Sequence, residues 1–270
     1  LENGADVNAT NNDGETALLV ALLEGNLDVV KLLVEKDVNV VNAKDKSGLT
    51  ALHLAVEVGN LAILKVLLEQ DNDVNAQDDD GNTALHSAAK MGLSKFVDVL
   101  LKQEGVEVSA KDDDGWTPLH WSAARGRLPA YLLFMRESIT MKRVLRDGRR
   151  VREELGDVSD HRAVVELLAT HGADVTAEDD EGWTPIHRAA LPGRNLLGNR
   201  VEPDVGIINY LLRETGAIVP LAQNVVGAHE RRMRREGGGR SGAVAAAPRG
   251  FVGFARGLLT WLFGLPKEAH

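Results

Sequence analysis

Four histidines, His53, His86, His120 and His187, recur in register along the chain. A regularly spaced imidazole set is the first feature of the sequence that could do chemistry. Imidazole ligates zinc, but a zinc site gathers three or four ligands at one point. Here each histidine lies in a different sequence unit, and the chain has no cysteine to complete a site. A structural role is therefore expected, and no metal is assigned. Acidic clusters at 78–80, 112–114 and 178–181 are the second candidates. They lack the alternating ligand spacing and the twelfth-position Glu of an EF-hand calcium loop, so they are not expected to hold calcium. Nucleophile elbows, phosphate loops, dinucleotide fingerprints and H-E-x-x-H are missing. The GGGRSG run at 237–242 has glycines but no Lys. No catalytic residue and no cofactor is expected.

The elements that carry these residues are repeated. Gly14, Gly48, Gly81, Gly115 and Gly182 are each followed, at one constant spacing, by a second glycine: Gly25, Gly59, Gly92, Gly126 and Gly193. Between the paired glycines the chain is rich in Ala and Leu, and a Thr (Thr16, Thr50, Thr83, Thr117, Thr184) stands where its oxygen can cap a helix start. Pro118 and Pro185 follow at a first-turn position. Counting from the second glycine, apolar side chains recur at +4, +5, +7 and +8: Val29, Val30, Leu32, Leu33; Ile63, Leu64, Val66, Leu67; Phe96, Val97, Val99, Leu100. That grouping makes a broad apolar stripe on a second short helix. Polar turns separate the units. A unit of turn, helix, turn, helix is too small to fold alone, so stacking into a solenoid is predicted.

GWTPLHWSAARG at 115–126 and GADVTA at 172–177 resemble the ankyrin repeat, G-x-T-P-L-H-x-A-A-x-x-G followed by V-V-x-L-L and G-A-D-V-N-A. The resemblance covers roughly residues 1–126 and 161–219. It implies an all-α fold, an ankyrin-repeat solenoid of about five repeats plus a partial N-terminal one. It further implies that the T-P-L-H histidine ties neighbouring turns by hydrogen bonds, and that the turns project as fingers beside a concave binding face. Repeat one departs from the pattern at Leu19, and Asp37-Val38 replaces the usual Gly-Ala. The opening LENGADVNA reads as the end of an earlier repeat, so the chain is read as a fragment of a longer one.

Two interruptions break the period. Removing 127–160 brings Val164, Val165, Leu167 and Leu168 to +4, +5, +7 and +8, and restores the regular repeat length between Gly115 and Gly182. This segment is read as an insert between the two helices of repeat four, either a genuine segment or translated intron. In repeat five, Ile207, Ile208, Tyr210 and Leu211 resume the stripe after a shorter extra loop, 194–203. The solenoid is thus assigned to 1–227. A Gly- and Ala-rich tail at 228–270 follows, with helix-spaced Phe251, Phe254, Leu258, Trp261 and Leu265 in an apolar segment at 251–265. Contact of that segment with a membrane surface, folding back on the solenoid end, and mistranslated sequence remain three open readings.

Charge follows the same cuts. The net −9 of the chain divides into −16 on the repeats, +2 on 127–160 and +5 on 228–270. An acidic body makes nucleic acid a poor partner. The RRMRR run at 231–235 is read as a solvated basic linker, with nuclear import or an anionic lipid as the rival readings. A protein partner of basic or mixed charge is expected instead, held by a monomer that is intracellular, cytoplasmic or nuclear. The candidate contact residues are the turn tips Asp79, Asp80, Asp113, Asp114, Asp180 and Glu181, for which solvated charges that keep the chain soluble are the rival reading, and the position after the first glycine, Leu49, Asn82, Trp116 and Trp183. Lys90, Met91 and Arg125 complete the set beside the second glycines. For the two Trp, exposed anchoring and packing against the neighbouring finger are equal alternatives. The chain is read as a protein-binding scaffold or adaptor. The rivals are a fragment of a larger enzyme or signalling protein, and a membrane adaptor held by its tail.

Overall fold

The computed structural model describes residues 6–12, 14–36, 41–124, 160–190 and 204–215, and the backbone of 193–194 and 200–201. The expectations for Asp37-Val38, all of the 127–160 insert but Asp160, most of the 194–203 loop and the 228–270 tail fall outside these residues. The helices are α1 (Ala17–Leu23), α2 (Leu27–Lys36), α3 (Ala51–Val58), α4 (Leu61–Leu68), α5 (Ala84–Met91), α6 (Ser94–Leu101), α7 (Pro118–Ala123), α8 (His161–Thr170), α9 (Pro185–Ala190) and α10 (Val205–Glu214). A short antiparallel pair, β1 (Gly193–Arg194) with β2 (Arg200–Val201), and an isolated bridge between Thr10 and Thr16 accompany them among the described residues.

Each helix begins and ends for a local reason. Thr16, Thr83 and Thr117 accept hydrogen bonds from the third backbone N–H of α1, α5 and α7, a cap that contributes about 1 kcal/mol. Asn60, Asp160 and Asp204 do the same for α4, α8 and α10. At the other end of α5, Gly92 takes a left-handed conformation, φ 71°, and returns its N–H to the last turn.

First helices stack on first helices and second on second. α1 packs on α3, α3 on α5, α5 on α7 and α7 on α9; α2 packs on α4, α4 on α6, α6 on α8 and α8 on α10. Within each layer α1 packs on α2, α3 on α4, α5 on α6, α7 on α8 and α9 on α10. The second and fourth members of each apolar stripe are buried throughout: Val30, Leu33, Leu64, Leu67, Val97, Leu100, Val165, Leu168, Ile208 and Leu211. The stripes thus merge into one continuous core, as stacking of marginal units requires. α8 occupies the second-helix place of its layer although segment 125–159 separates it from α7. Its start is anchored from outside the layer, because the Asp160 N–H donates to the Gly92 carbonyl at 3.0 Å.

Candidate functional site

The finger turns are built by one side chain per repeat, Asn11 in the first, whose Oδ1 accepts the Glu15 N–H at 3.0 Å, and an aspartate in the others. Asp45, Asp78, Asp112 and Asp179 each turn Oδ1 back to accept two backbone N–H groups, two and four residues on, at 2.8–3.1 Å. Such side-chain turns fix the loop without a partner element. Adjacent fingers are then stitched: the N–H groups of Asp79, Asp113 and Asp180 donate to the carbonyls of Ser47, Asp80 and Asp114 at 3.1–3.2 Å. The stitching demands glycine. At Gly81, φ is 78° and an added Cβ would sit 2.7 Å from the backbone nitrogen of Asp113. The remaining acidic residues of each finger, Asp79, Asp80, Asp113, Asp114, Asp180 and Glu181, are exposed along this edge. Partial burial and the neighbouring Asp78 raise the Asp80 carboxyl above its ordinary value.

His53, His86 and His120 are engaged at both ring nitrogens. Nδ1 of His53, His86, His120 and His187 accepts the backbone N–H of Thr50, Thr83, Thr117 and Thr184 at 3.0–3.2 Å. That bond leaves the proton on Nε2, which in the first three donates across the repeat boundary: His53 to the Asn82 carbonyl, His86 to Trp116 and His120 to Trp183, at 2.9–3.1 Å. Burial pushes His86 and His120 down to about 4 and lowers His53, so the neutral ring suited to this bond is the one present. Repeat one has Leu19 at this position, completely buried, and packing replaces the bond. Among the described residues no group of three or more His, Asp or Glu is placed to hold a metal ion.

Three of the residues expected at the contact face lie inside the fold. Leu49, Trp116 and Trp183 are 6%, 4% and 5% exposed, so the exposed-anchor alternative gives way to packing. Trp116 packs against the Trp121 ring and under the Arg188 guanidinium, and Trp183 packs beside His187 and Arg188. Asn82, at the same position, is half-buried and its amide donates to Asp78. Lys90 and Met91 are half-buried, and Arg125 lies outside the described residues.

What the sequence spacing did not single out is a linked series of cations, rings and carboxylates beneath the groove. Lys90 Nζ sits 4.3 Å from the ring centre of Trp121. The Trp121 indole N–H donates to Asp112 Oδ2 at 2.8 Å, and its ring lies 4.5 Å from that of Trp116. The Arg188 guanidinium covers the other end, 4.4 Å from Trp116 and 5.8 Å from Trp183. Arg188 also donates to Asp179 Oδ2 at 2.5 and 2.8 Å and to Glu181 at 3.1 Å. Trp121 and Arg188 hold equivalent positions in successive repeats, so one finger aspartate takes an indole and the next a guanidinium. Burial raises Asp112 to about 6 against the hydrogen bonds that lower it, and raises Asp179 although Arg188 opposes the shift. Burial likewise raises Glu57 to about 7 and lowers Lys90, each opposed by the other's charge. The signal was legible after the fact: in both repeats an Asp precedes the finger glycine, and the Trp or Arg follows that glycine, at the same offsets.

The arrangement is a stitched comb, in which each Thr hydroxyl of the repeated Thr–His pair lies 2.8–2.9 Å from the histidine Nδ1. The sequence model of the family described as "Ankyrin repeats (3 copies)" matches residues 1–78 and 59–143. The chain belongs to the ankyrin repeat family. Ankyrin repeats generally mediate protein–protein interaction, and their domains are typically non-catalytic. The finger stitching and the histidine bridges are the means by which this ankyrin stack keeps its spacing. No curated protein matches the chain. Among the described residues no helix is long and apolar enough to cross a membrane.

Proposed function

We propose that this ankyrin chain is a non-catalytic scaffold that grips a basic protein partner with its finger tips and first helices. The observation that carries this reading is the row of exposed carboxylates at Asp79, Asp80, Asp113, Asp114, Asp180 and Glu181. Each is held on a finger whose backbone is bonded to the next. Fixed carboxylates cost a partner little reorganisation and attract cations over a Debye length of about 8 Å at physiological salt. Lys90 and Met91 border the same face, while Trp116, Trp183 and Leu49 act beneath it by holding its spacing. The packing of α8 against α6 and α7 supports reading 127–160 as an insert within one repeat unit. A cytoplasmic or nuclear location is part of the proposal and rests on the family alone.

The test is an affinity capture with the full chain and with a variant carrying Asn or Gln at the six acidic tips. Captured proteins should have basic contact segments, release with rising salt, and be lost from the neutralised variant. Recovery of the same partners, at the same salt, by both proteins would remove the finger tips from the binding mechanism.

A further inference from the structure

On the opposite side, where the second helices line up, α4, α6 and α8 border a shallow, open groove of about 710 Å³. Its apolar lining is Leu61, Val99, Ala163 and Leu167, all half-buried. The charges around it are unequal in their commitments. Asp98 is paired with Lys102 at 2.6 Å and Glu166 with Arg162 at 3.0 Å. Lys65 and Lys95, both exposed, line the same groove and make no ion pair among the described residues. The groove is therefore an apolar trough flanked by two uncommitted ammonium groups, on repeats that carry −16 overall. At physiological salt, charges beyond about 8 Å are largely screened, so the near lysines outweigh the distant fingers.

We propose that this groove is a second docking surface, which receives an amphipathic helix with acidic flanks from a partner protein. An apolar stripe at i, i+3, i+4 and i+7 would fill the trough, as in other helix-in-groove contacts. Glu or Asp on its flanks would meet Lys65 and Lys95. The two faces then have opposite charge preference, so that one stack joins a basic partner at its fingers to an acidic helix at its back.

The probe is a stapled peptide of about 14 residues, roughly four helical turns, with Leu on one stripe and Glu on both flanks. Its charge-reversed counterpart carries Lys in place of Glu. Fluorescence anisotropy with the full chain should show saturable binding of the Glu peptide, weakened by salt, and binding at least tenfold weaker for the Lys peptide. The double variant Lys65→Glu/Lys95→Glu, changed only at exposed side chains, should lose at least tenfold affinity while keeping its helical circular dichroism. Equal affinity for the two peptides, no saturable binding, or an unchanged double variant would each overturn the proposal. So would a monomer–dimer equilibrium in sedimentation that the double variant abolishes, since that result assigns the groove to a second copy of the chain. The six acidic tips lie on the other face, so failure here is separable from failure there.

Discussion

Replacing Arg188 with Met isolates the energetics of the buried series. The Asp179 side chain is completely buried and Arg188 is 12% exposed, so the substitution leaves an unpaired carboxylate where water does not reach. Oδ1 keeps its bonds from the Glu181 and Trp183 N–H groups, whereas Oδ2 loses both guanidinium bonds. Breaking a buried pair from one side costs roughly 3–5 kcal/mol. Loss of the cation over the Trp116 face adds about 0.5–2 kcal/mol, while the Met stem recovers part of the packing. A net loss of about 3 kcal/mol at pH 8 is expected. Without Arg188 the Asp179 carboxyl rises further above its ordinary value, so the loss should shrink as pH falls and protonation neutralises it. Arg188→Met/Asp179→Asn removes both charges yet keeps the Oδ1 acceptor, and should recover about 2 kcal/mol relative to the single variant. Urea titration followed by indole fluorescence reads the effect locally, because Trp116, Trp121 and Trp183 all lie in these layers. A stack of nearest-neighbour units should show the loss there before it reaches α1–α4. A cost below about 1 kcal/mol for the single variant at pH 8, or no recovery in the double, would refute the account of a buried, mutually dependent pair.

Trp116→Ala should cost about 3–5 kcal/mol in the same titration, because it empties a buried ring site; a near-neutral stability would return this Trp to the contact face. His86→Leu keeps the volume but strands the Thr83 N–H and the Trp116 carbonyl, and a loss of about 1–3 kcal/mol is expected by thermal melts at pH 7.5. His86 and His120 are depressed in the fold, so their contribution is complete above about pH 6.5 and is lost as pH falls toward about 4. Glu57 and Asp112 are raised and act in the opposite sense, destabilising as pH climbs through about 6–7. Glu57→Gln should therefore steepen the decline in melting temperature between pH 7 and pH 5. Gly81→Ala meets both a positive φ and the Asp113 backbone, and should cost more than about 1 kcal/mol, read by urea midpoint.

Although Val29 and Leu32 of the first stripe are exposed, the periodicity by itself determined the all-α stack, the Thr caps, the four-member stripe of each second helix and the register of Val164, Val165, Leu167 and Leu168. These follow from local rules, since a cap needs only its own first turn and a stripe only the helical period. The exposed acidic tips were equally legible, because a charged residue beside a turn glycine has no layer to enter. What only the tertiary structure decided is where the position after that glycine points. Trp116 is covered by Trp121 of its own repeat and by Arg188 of the repeat that follows. The same packing brings Arg188 of one repeat onto the Trp116 ring of the repeat before it, although segment 125–159 separates them in the sequence. No spacing within a repeat contains that contact, because burial of a cation and an indole is a property of two layers together.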